Sequence, residues 1–330
     1  MKNDTPIVSI IIPLYNKERY IQETLESVSA QEFPHWEVII VDDGSTDNSL
    51  NIVKDLLLDE SRFRLIERQS EVRGGSVCRN IGLKKARGKY IIFLDADDLL
   101  LPHALKQRVD KLTDNPEIDF AIYPVGHFDK KIGDTTYVKY IQPKEDHLLQ
   151  FLSYQIPWHT TSPIWKRAFL MKLKGFDESF KRLQDVELHT RALLVEGRKY
   201  LVDDSLDFYH RIDDQRRDVA PLEKTQMMVE SFLHYLEMSY QWIMVSSRAN
   251  DNVVKDALKK ALFKLASKLV NAPISIKEKI TLIFIITRRE FFNTVLQHQK
   301  DYIIFWWYIF YGYIHFLKKK VLFRRLGWSV

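Results

Sequence analysis

At 330 residues the chain is long enough for one large domain with an appendage or for two domains, and 45% hydrophobic with 28% charged residues excludes intrinsic disorder. The single cysteine, Cys78, excludes an intramolecular disulfide framework and fits a reducing compartment. The net charge of +5 is unevenly placed, because from Ile280 onward eight Lys or Arg stand against two acids and the rest of the chain is close to neutral. A nucleic-acid partner is therefore not expected, since its contact face would spread positive charge across the folded domain.

In chain order, MKNDTPIVSIIIPLYN leads from a short polar stretch into a β-branched run, Ile7 to Ile12, which Pro13 is expected to stop. No longer apolar region with a small-residue cleavage site precedes it, so a cytoplasmic protein is expected. Tyr20, Ile21, Leu25 and Val28 recur at helical spacing, and a second β run covers Glu37 to Val41. Asp42 to Asp47 reads as a turn into a helix that Ser45 or Thr46 would cap. A third β signal lies at Phe63 to Ile66; a helix follows Arg73-Gly74-Gly75 and runs to about Ala86; Tyr90 to Leu94 is the fourth strand. Continuous apolar strands separated by helices imply a mostly parallel α/β sheet covered on both faces.

The fourth strand runs directly into FLDADDLLLP, where Asp95, Asp97 and Asp98 follow one another closely. Crowded carboxylates repel unless a cation or a proton intervenes, and Mg²⁺ or Mn²⁺ commonly brings phosphates as further ligands. A solvated turn or helix cap would also use aspartates. In open α/β sheets, however, ligands sit beyond the carboxyl ends of the strands. Pro13-Leu14-Tyr15-Asn16, Asp42-Asp43-Gly44 and Asp95-Ala96-Asp97-Asp98 all occupy such ends, so they are expected to meet in one crevice.

Further on, a strand is expected at Phe120 to Val125, a β-prone stretch at Tyr137 to Ile141 and a short helix after Trp158 to Pro163. Gln184-Asp185-Val186-Glu187-Leu188 opens a helix to about Glu196, with acids in the first turn where the helix dipole favours them. From Pro221 the signals are helical, which divides the chain into residues 1–220 and 221–330. Tyr302 to Leu317 has no formal charge and is dominated by aromatics, with Lys318-Lys319-Lys320 and Arg324-Arg325 after it. As a helix it would span about 24 Å, short of the ~30 Å hydrocarbon core. Residues 302–325 thus suit an anionic inner-leaflet surface, a buried helix or a homo-oligomer contact.

Four segments in this order and spacing resemble the family 2 glycosyltransferases: VSIIIPLYNKERYIQETLESVSAQ (8–31), EVIIVDDGSTDNS (37–49), GGSVCRNIGLKKARGKYIIFLDADDLLLP (74–102) and GFDESFKRLQDVELHTRALLVEG (175–197). The resemblance implies a GT-A, Rossmann-like α/β fold with a helical C-terminal extension, and inverting transfer of one sugar from a nucleotide diphosphate-sugar, uracil being the favoured base. It implies Pro13 and Tyr15 in the base and ribose pocket, Asp42 or Asp43 on a nucleobase N–H, and Arg79 toward the nucleotide. Asp95-Ala96-Asp97 would be the family's D-x-D, Asp95 holding ribose and Asp97 the Mn²⁺ or Mg²⁺. Asp185 would be the general base, accepting the proton of a glycan or lipid-linked acceptor hydroxyl in envelope polysaccharide synthesis.

Two departures stand out. Gln184 replaces the Glu that usually precedes the base, which leaves a catalytically impaired nucleotide-binding membrane scaffold as an alternative, and Phe208-Tyr209-His210-Arg211 replaces a Tyr-Arg-x-His-type segment. A sugar-phosphate nucleotidyltransferase would need a glycine-rich basic loop where Pro13-Leu14-Tyr15-Asn16 stands. No Gln-x-x-Arg-Trp of processive synthases is present, so one sugar per encounter is expected.

Overall fold

The computed structural model describes residues 5–212, residues 220–289 and a few positions between 292 and 309; most of 302–325 lies outside the described residues. In chain order the first half contains β1 (Val8–Leu14), α1 (Ile21–Ser29), β2 (Trp36–Asp42), α2 (Ser49–Asp59), β3 (Phe63–Glu67), α3 (Gly75–Lys85), β4 (Tyr90–Phe93), β5 (Leu99–Leu100) and α4 (Ala104–Asp114). Next come β6 (Phe120–Ile122), β7 (Val125–Phe128), β8 (Val138–Lys139), α5 (His147–Leu152), β9 (Pro163–Lys166), α6 (Arg167–Lys172), α7 (Gln184–Leu194), β10 (Tyr200–Val202) and β11 (Phe208–Arg211). Three long helices complete it: α8 (Pro221–Met244), α9 (Asn252–Val270) and α10 (Ile276–Thr287). Two compact units result, one within residues 1–146 and 156–214, the other within 147–155 and 215–330.

The first unit is built on a seven-stranded sheet of order β10-β6-β9-β4-β1-β2-β3, parallel except for β9. Its inner strands β1, β2, β4 and β6 are buried almost throughout, which is why they read as largely apolar runs, while the edge strands β3 and β10 are only partly covered. Val8, Ile10 and Ile12 join Ile21, Leu25 and Val28 of α1 in one core, while Ile11 faces α3. That packing is close: a Cβ on Gly82 would lie 2.4 Å from Ile11 Cγ2.

Strand β1 continues past the expected stop at Pro13, which is paired with Val41. The Ile7 and Ile11 carbonyls accept from Tyr90 and Leu94, so by the two-residue period Pro13 also faces β4, whose pairing has already ended at Phe93. Its missing N–H therefore costs no ladder bond. The single strand expected at Phe120 to Val125 is instead two, β6 in the large sheet and β7 in a second sheet of order β5-β11-β7-β8, parted at Tyr123-Pro124. This second sheet matters for the site because Tyr209 of β11 pairs with Leu99, which brings His210 beside Asp98.

The helical unit packs α5, α8, α9 and α10 together, with Tyr154 against Phe232 at a ring separation of 4.2 Å. Its inclusion of His147–Gln155 sets its limits apart from a division at residue 220. A capping box, Ser275 with Glu278, starts α10. Among the described residues no helix is long and apolar enough to cross a membrane.

Candidate active site

Strands β4, β1 and β2 lie side by side, so the three loops at their carboxyl ends are neighbours, as the sequence pattern requires. The order β3-β2-β1-β4 reverses direction of growth between β1 and β4, the place where such sheets open a crevice. The first two loops are laced together: Asn16, at φ +49°, donates its N–H to Ser45 Oγ, and its side-chain oxygen accepts from the Thr46 N–H at 2.8 Å. Ser45 and Thr46 are thereby used between loops rather than as helix caps, and α2 starts later, at Ser49, whose hydroxyl accepts the Lys17 N–H. Tyr15 is half exposed and Pro13 half-buried.

The two aspartates after β2 have different duties. Asp42 is buried, and its carboxylate accepts the N–H groups of Gly44 and Ser45, closing the turn in which Gly44 takes φ +88°. Asp43 pairs with Arg68 at 2.6 Å and accepts the Gly74 N–H at 2.9 Å, which anchors the entry to α3.

Arg79 projects from α3 and forks between two partners, donating to Asp95 Oδ1 at 2.6 Å and to Gln184 Oε1 at 2.8 Å. Burial works to raise the pKa of Asp95, but Arg79 and the nearby His159 and His210 outweigh it and hold the carboxyl below its usual range. Ala96 is buried, and Asp97 forms an ion pair with Lys17. Asp95 and Asp97 offer carboxylate oxygens, the hard ligand atoms that Mn²⁺ or Mg²⁺ takes, so they fit the expected ion, with the Lys17 ammonium standing on Asp97 Oδ2.

Asp98, a cap or helper by sequence, is a fully buried hub. Its Oδ1 accepts from His210 Nδ1 at 2.8 Å and from the Arg211 N–H at 3.2 Å; Oδ2 accepts from the Thr161 hydroxyl at 3.2 Å. The His159 ring lies 4.2 Å from that of His210, tilted by 41°, and Asp98, His159 and His210 each offer a ligand atom within 4.8 Å of the others. Burial pushes the His159 imidazole down to about 4, helped by the adjacent His210. Burial works the same way on His210, but Asp98, then Asp95 and Asp97, lift it to about 9. His210 is thus a cation at neutral pH, oriented through Nδ1 in the way metal- and phosphate-facing histidines are. Arg211 is buried over the Tyr20 and Phe128 rings and donates to the Asp97 carbonyl at 3.2 Å, so it braces the acidic loop from below.

Helix α7 begins after Leu183, which takes φ +61° without a side-chain cap. Half-buried Asp185 in the first turn offsets the free N–H groups there. Glu187 is fully buried, ion-paired with Arg191, and accepts the Asp177 N–H; Arg191 in turn donates to the Leu173 and Gly175 carbonyls at 2.6 Å. This fixes the turn before α7 and hence the placement of Gln184 and Asp185. Sequence reasoning gave no role to Lys17, Arg68 or His159; the signal for His159 was the Trp158-His159-Thr160-Thr161 stretch, and that for His210 was the Phe208-Tyr209-His210-Arg211 segment.

The chain matches the model of the family described as "Glycosyl transferase family 2" over residues 9–178, just over half its length. It is 31% identical over 219 residues to the uncharacterized glycosyltransferase EpsJ of Bacillus subtilis, covering 62% of this chain and 61% of that one. With the minor teichoic acid biosynthesis protein GgaA of Bacillus subtilis it shares 32% identity over 249 residues, 72% of this chain and 54% of GgaA. It therefore spans less than two thirds of the length of these curated relatives. Among solved structures, S. aureus TarS 1-349 in complex with UDP-GlcNAc superposes with a TM-score of 0.66 at 20% identity, covering 98% of this chain and 92% of TarS 1-349. That likeness is one of fold, GT-A.

Proposed function

The chain belongs to glycosyl transferase family 2, and from that premise we propose that it is a metal-dependent inverting transferase moving one hexosyl or N-acetylhexosaminyl unit from a UDP-sugar to a glycan or lipid-linked acceptor in envelope polysaccharide synthesis. The observation that carries the reading is the hydrogen-bonded chain Gln184–Arg79–Asp95, which joins the residue before the base to the D-x-D. TarS bound to UDP and to UDP-GlcNAc supports the donor class, and GgaA the polymer class.

In this reading Tyr15 and Pro13 line the base and ribose pocket. Asp43, the less buried of the two candidates, faces the nucleobase N–H; Asp42 holds the turn. Asp95 would bond the ribose side and Asp97 would hold Mn²⁺ or Mg²⁺, which would offset the negative charge that builds on the leaving diphosphate. Asp185 takes the proton of the acceptor hydroxyl as its oxygen forms the new bond to the anomeric carbon. The bond from that carbon to the diphosphate oxygen breaks on the opposite side, and the electron pair leaves on the diphosphate. Imidazolium His210 adds a donor at the phosphate side. Gln184 retains the hydrogen bond to Arg79 that a Glu would make, which favours an active enzyme over an impaired scaffold.

The first 220 residues would form the catalytic domain. The aromatic, basic 302–325 segment would rest on the inner leaflet or join copies of the chain, placing a cytoplasmic enzyme near a lipid-linked acceptor. The test is thermal unfolding with Mn²⁺ and a panel of nucleoside diphosphates. UDP should raise the midpoint only with metal, and Asp97→Ala should abolish the rise; a protein indifferent to every nucleotide would refute the reading.

A further inference from the structure

Arg79 is set in a pocket built for it. The residue is 8% exposed, its guanidinium lies 5.4 Å from the Phe176 ring, and its two terminal nitrogens are held by Asp95 and Gln184. Gly75 is part of the construction: a Cβ there would sit 2.8 Å from Arg79 Nη1 and 2.9 Å from Gln184 Oε1, so a side chain would collide with the pair. The orientation of the amide is fixed as well, because Gln184 Nε2 donates to the Lys181 carbonyl at 3.3 Å and leaves Oε1 for Arg79. Arg79 Nε is buried without a partner among the described residues.

A carboxylate at position 184 would have the same shape and would accept the same hydrogen bond. It would also add a second negative charge to a guanidinium already facing Asp95. We propose that Gln184 is a positioning residue that holds Arg79 without adding a second negative charge to it, so that the Arg79–Asp95 pair stays neutral, rather than net negative, toward the diphosphate of the bound nucleotide. This rests on the transferase reading, which puts a nucleoside diphosphate in the crevice. The effect is electrostatic and local: in a site this enclosed, screening by salt is weak and a unit charge acts across several ångströms.

The sharpest readout compares a ligand that has phosphates with one that does not. UDP and uridine affinities, measured calorimetrically with Mn²⁺ on the full chain, give a preference ratio for each variant. Gln184→Glu should lower the preference for UDP by roughly tenfold, mostly through UDP, with little dependence on ionic strength. Gln184→Leu removes the hydrogen bond but adds no charge; it should lower the unfolding midpoint while leaving the ratio within about twofold of wild type. An unchanged or increased ratio in Gln184→Glu, or an equal fall in both variants, overturns the proposal. Wild-type protein that binds no nucleoside diphosphate overturns the transferase reading together with it, and the two failures are told apart by that control.

Discussion

The strongest mechanical demand on the site falls on a pair outside it. Arg108 on α4 and Asp207, just before β11, form a two-pronged ion pair with both side chains fully buried: Nε to Oδ2 and Nη2 to Oδ1, each 2.7 Å. Gln107 adds a third hydrogen bond to Oδ2 at 2.9 Å, and Arg108 Nη1 donates to the Thr161 carbonyl at 2.9 Å. Thr161 carries the hydroxyl that meets Asp98, and Asp207 lies three residues before His210, so the pair braces both sides of the Asp98 hub. Asp207→Asn keeps the shape but fails chemically. Every partner of this carboxylate is a donor, so either orientation of the amide sets its NH₂ against one or more N–H groups, and the guanidinium loses its counter-charge. Breaking such a pair from one side costs about 3–5 kcal/mol, which at about 2–4 °C per kcal/mol is a fall of some 6–20 °C in the unfolding midpoint. Replacing both partners, Arg108→Met with Asp207→Leu, should recover most of that loss, because no buried charge is then stranded. Urea unfolding of the two single variants and the double variant completes the cycle. A cost below about 1 kcal/mol for Asp207→Asn, or a double variant no better than the singles, would refute the argument.

Asp185→Asn should reduce sugar transfer by roughly 10²- to 10⁴-fold while preserving the metal-dependent rise in unfolding midpoint with UDP; retained turnover would remove Asp185 as the base. Asp97→Ala should lose that rise, worth about 2.7 kcal/mol at a hundredfold excess of ligand over its dissociation constant, as read by thermal unfolding with and without Mn²⁺. Stability should also peak near pH 6.5, by a sign that follows from which state holds more protons. His210, raised from an ordinary 6.5 to about 9, gives stability that is full below 6.5 and lost as pH climbs to 9. His159 and His189 are lowered to about 4 by burial, so between 6.5 and 4 the unfolded chain binds their protons first and stability falls as pH drops. Each such proton contributes a slope of about 1.4 kcal/mol per pH unit. Urea midpoints from pH 4.5 to 9 should flatten on the acid side in His189→Gln, and a level profile would contradict these placements.

The parallel core was legible because its signals are local. Runs such as Ile7–Ile12 and Glu37–Val41 hold one polar residue each, Ser9 and Glu37, and do not alternate, and strands of that kind need cover on both faces. The strand-end acids were legible for the same reason: topology carries them to one edge whatever their rotamers. What escaped was set by pairing between distant segments. Whether Pro13 ends its strand depends on where β4 stops, and whether Phe120–Val125 is one strand or two depends on a second sheet closed by residues 208–211. Asp98 read as a cap because its partners, Thr161 and His210, are 63 and 112 residues away. Ser45 and Thr46 had the composition of caps and were taken by Asn16 instead.

The same long-range pairing explains how so many carboxylates share one edge. Crowded acids require either a bound cation or positive neighbours, and this crevice assigns a separate positive group to each of four: Arg68 to Asp43, Arg79 to Asp95, Lys17 to Asp97 and His210 to Asp98. The ion pairs make the acid cluster nearly neutral by itself, so folding does not wait on a metal. On the proposed reading, a divalent ion arriving alone would find Asp97 already satisfied by an ammonium, and a diphosphate arriving alone would meet those carboxylates unshielded. Arriving together they form a compact unit of small net charge, which a nearly neutral pocket accepts at lower electrostatic cost than either component. Gln184, being uncharged, keeps that balance from turning negative at Arg79, which touches both the D-x-D and the helix bearing the base.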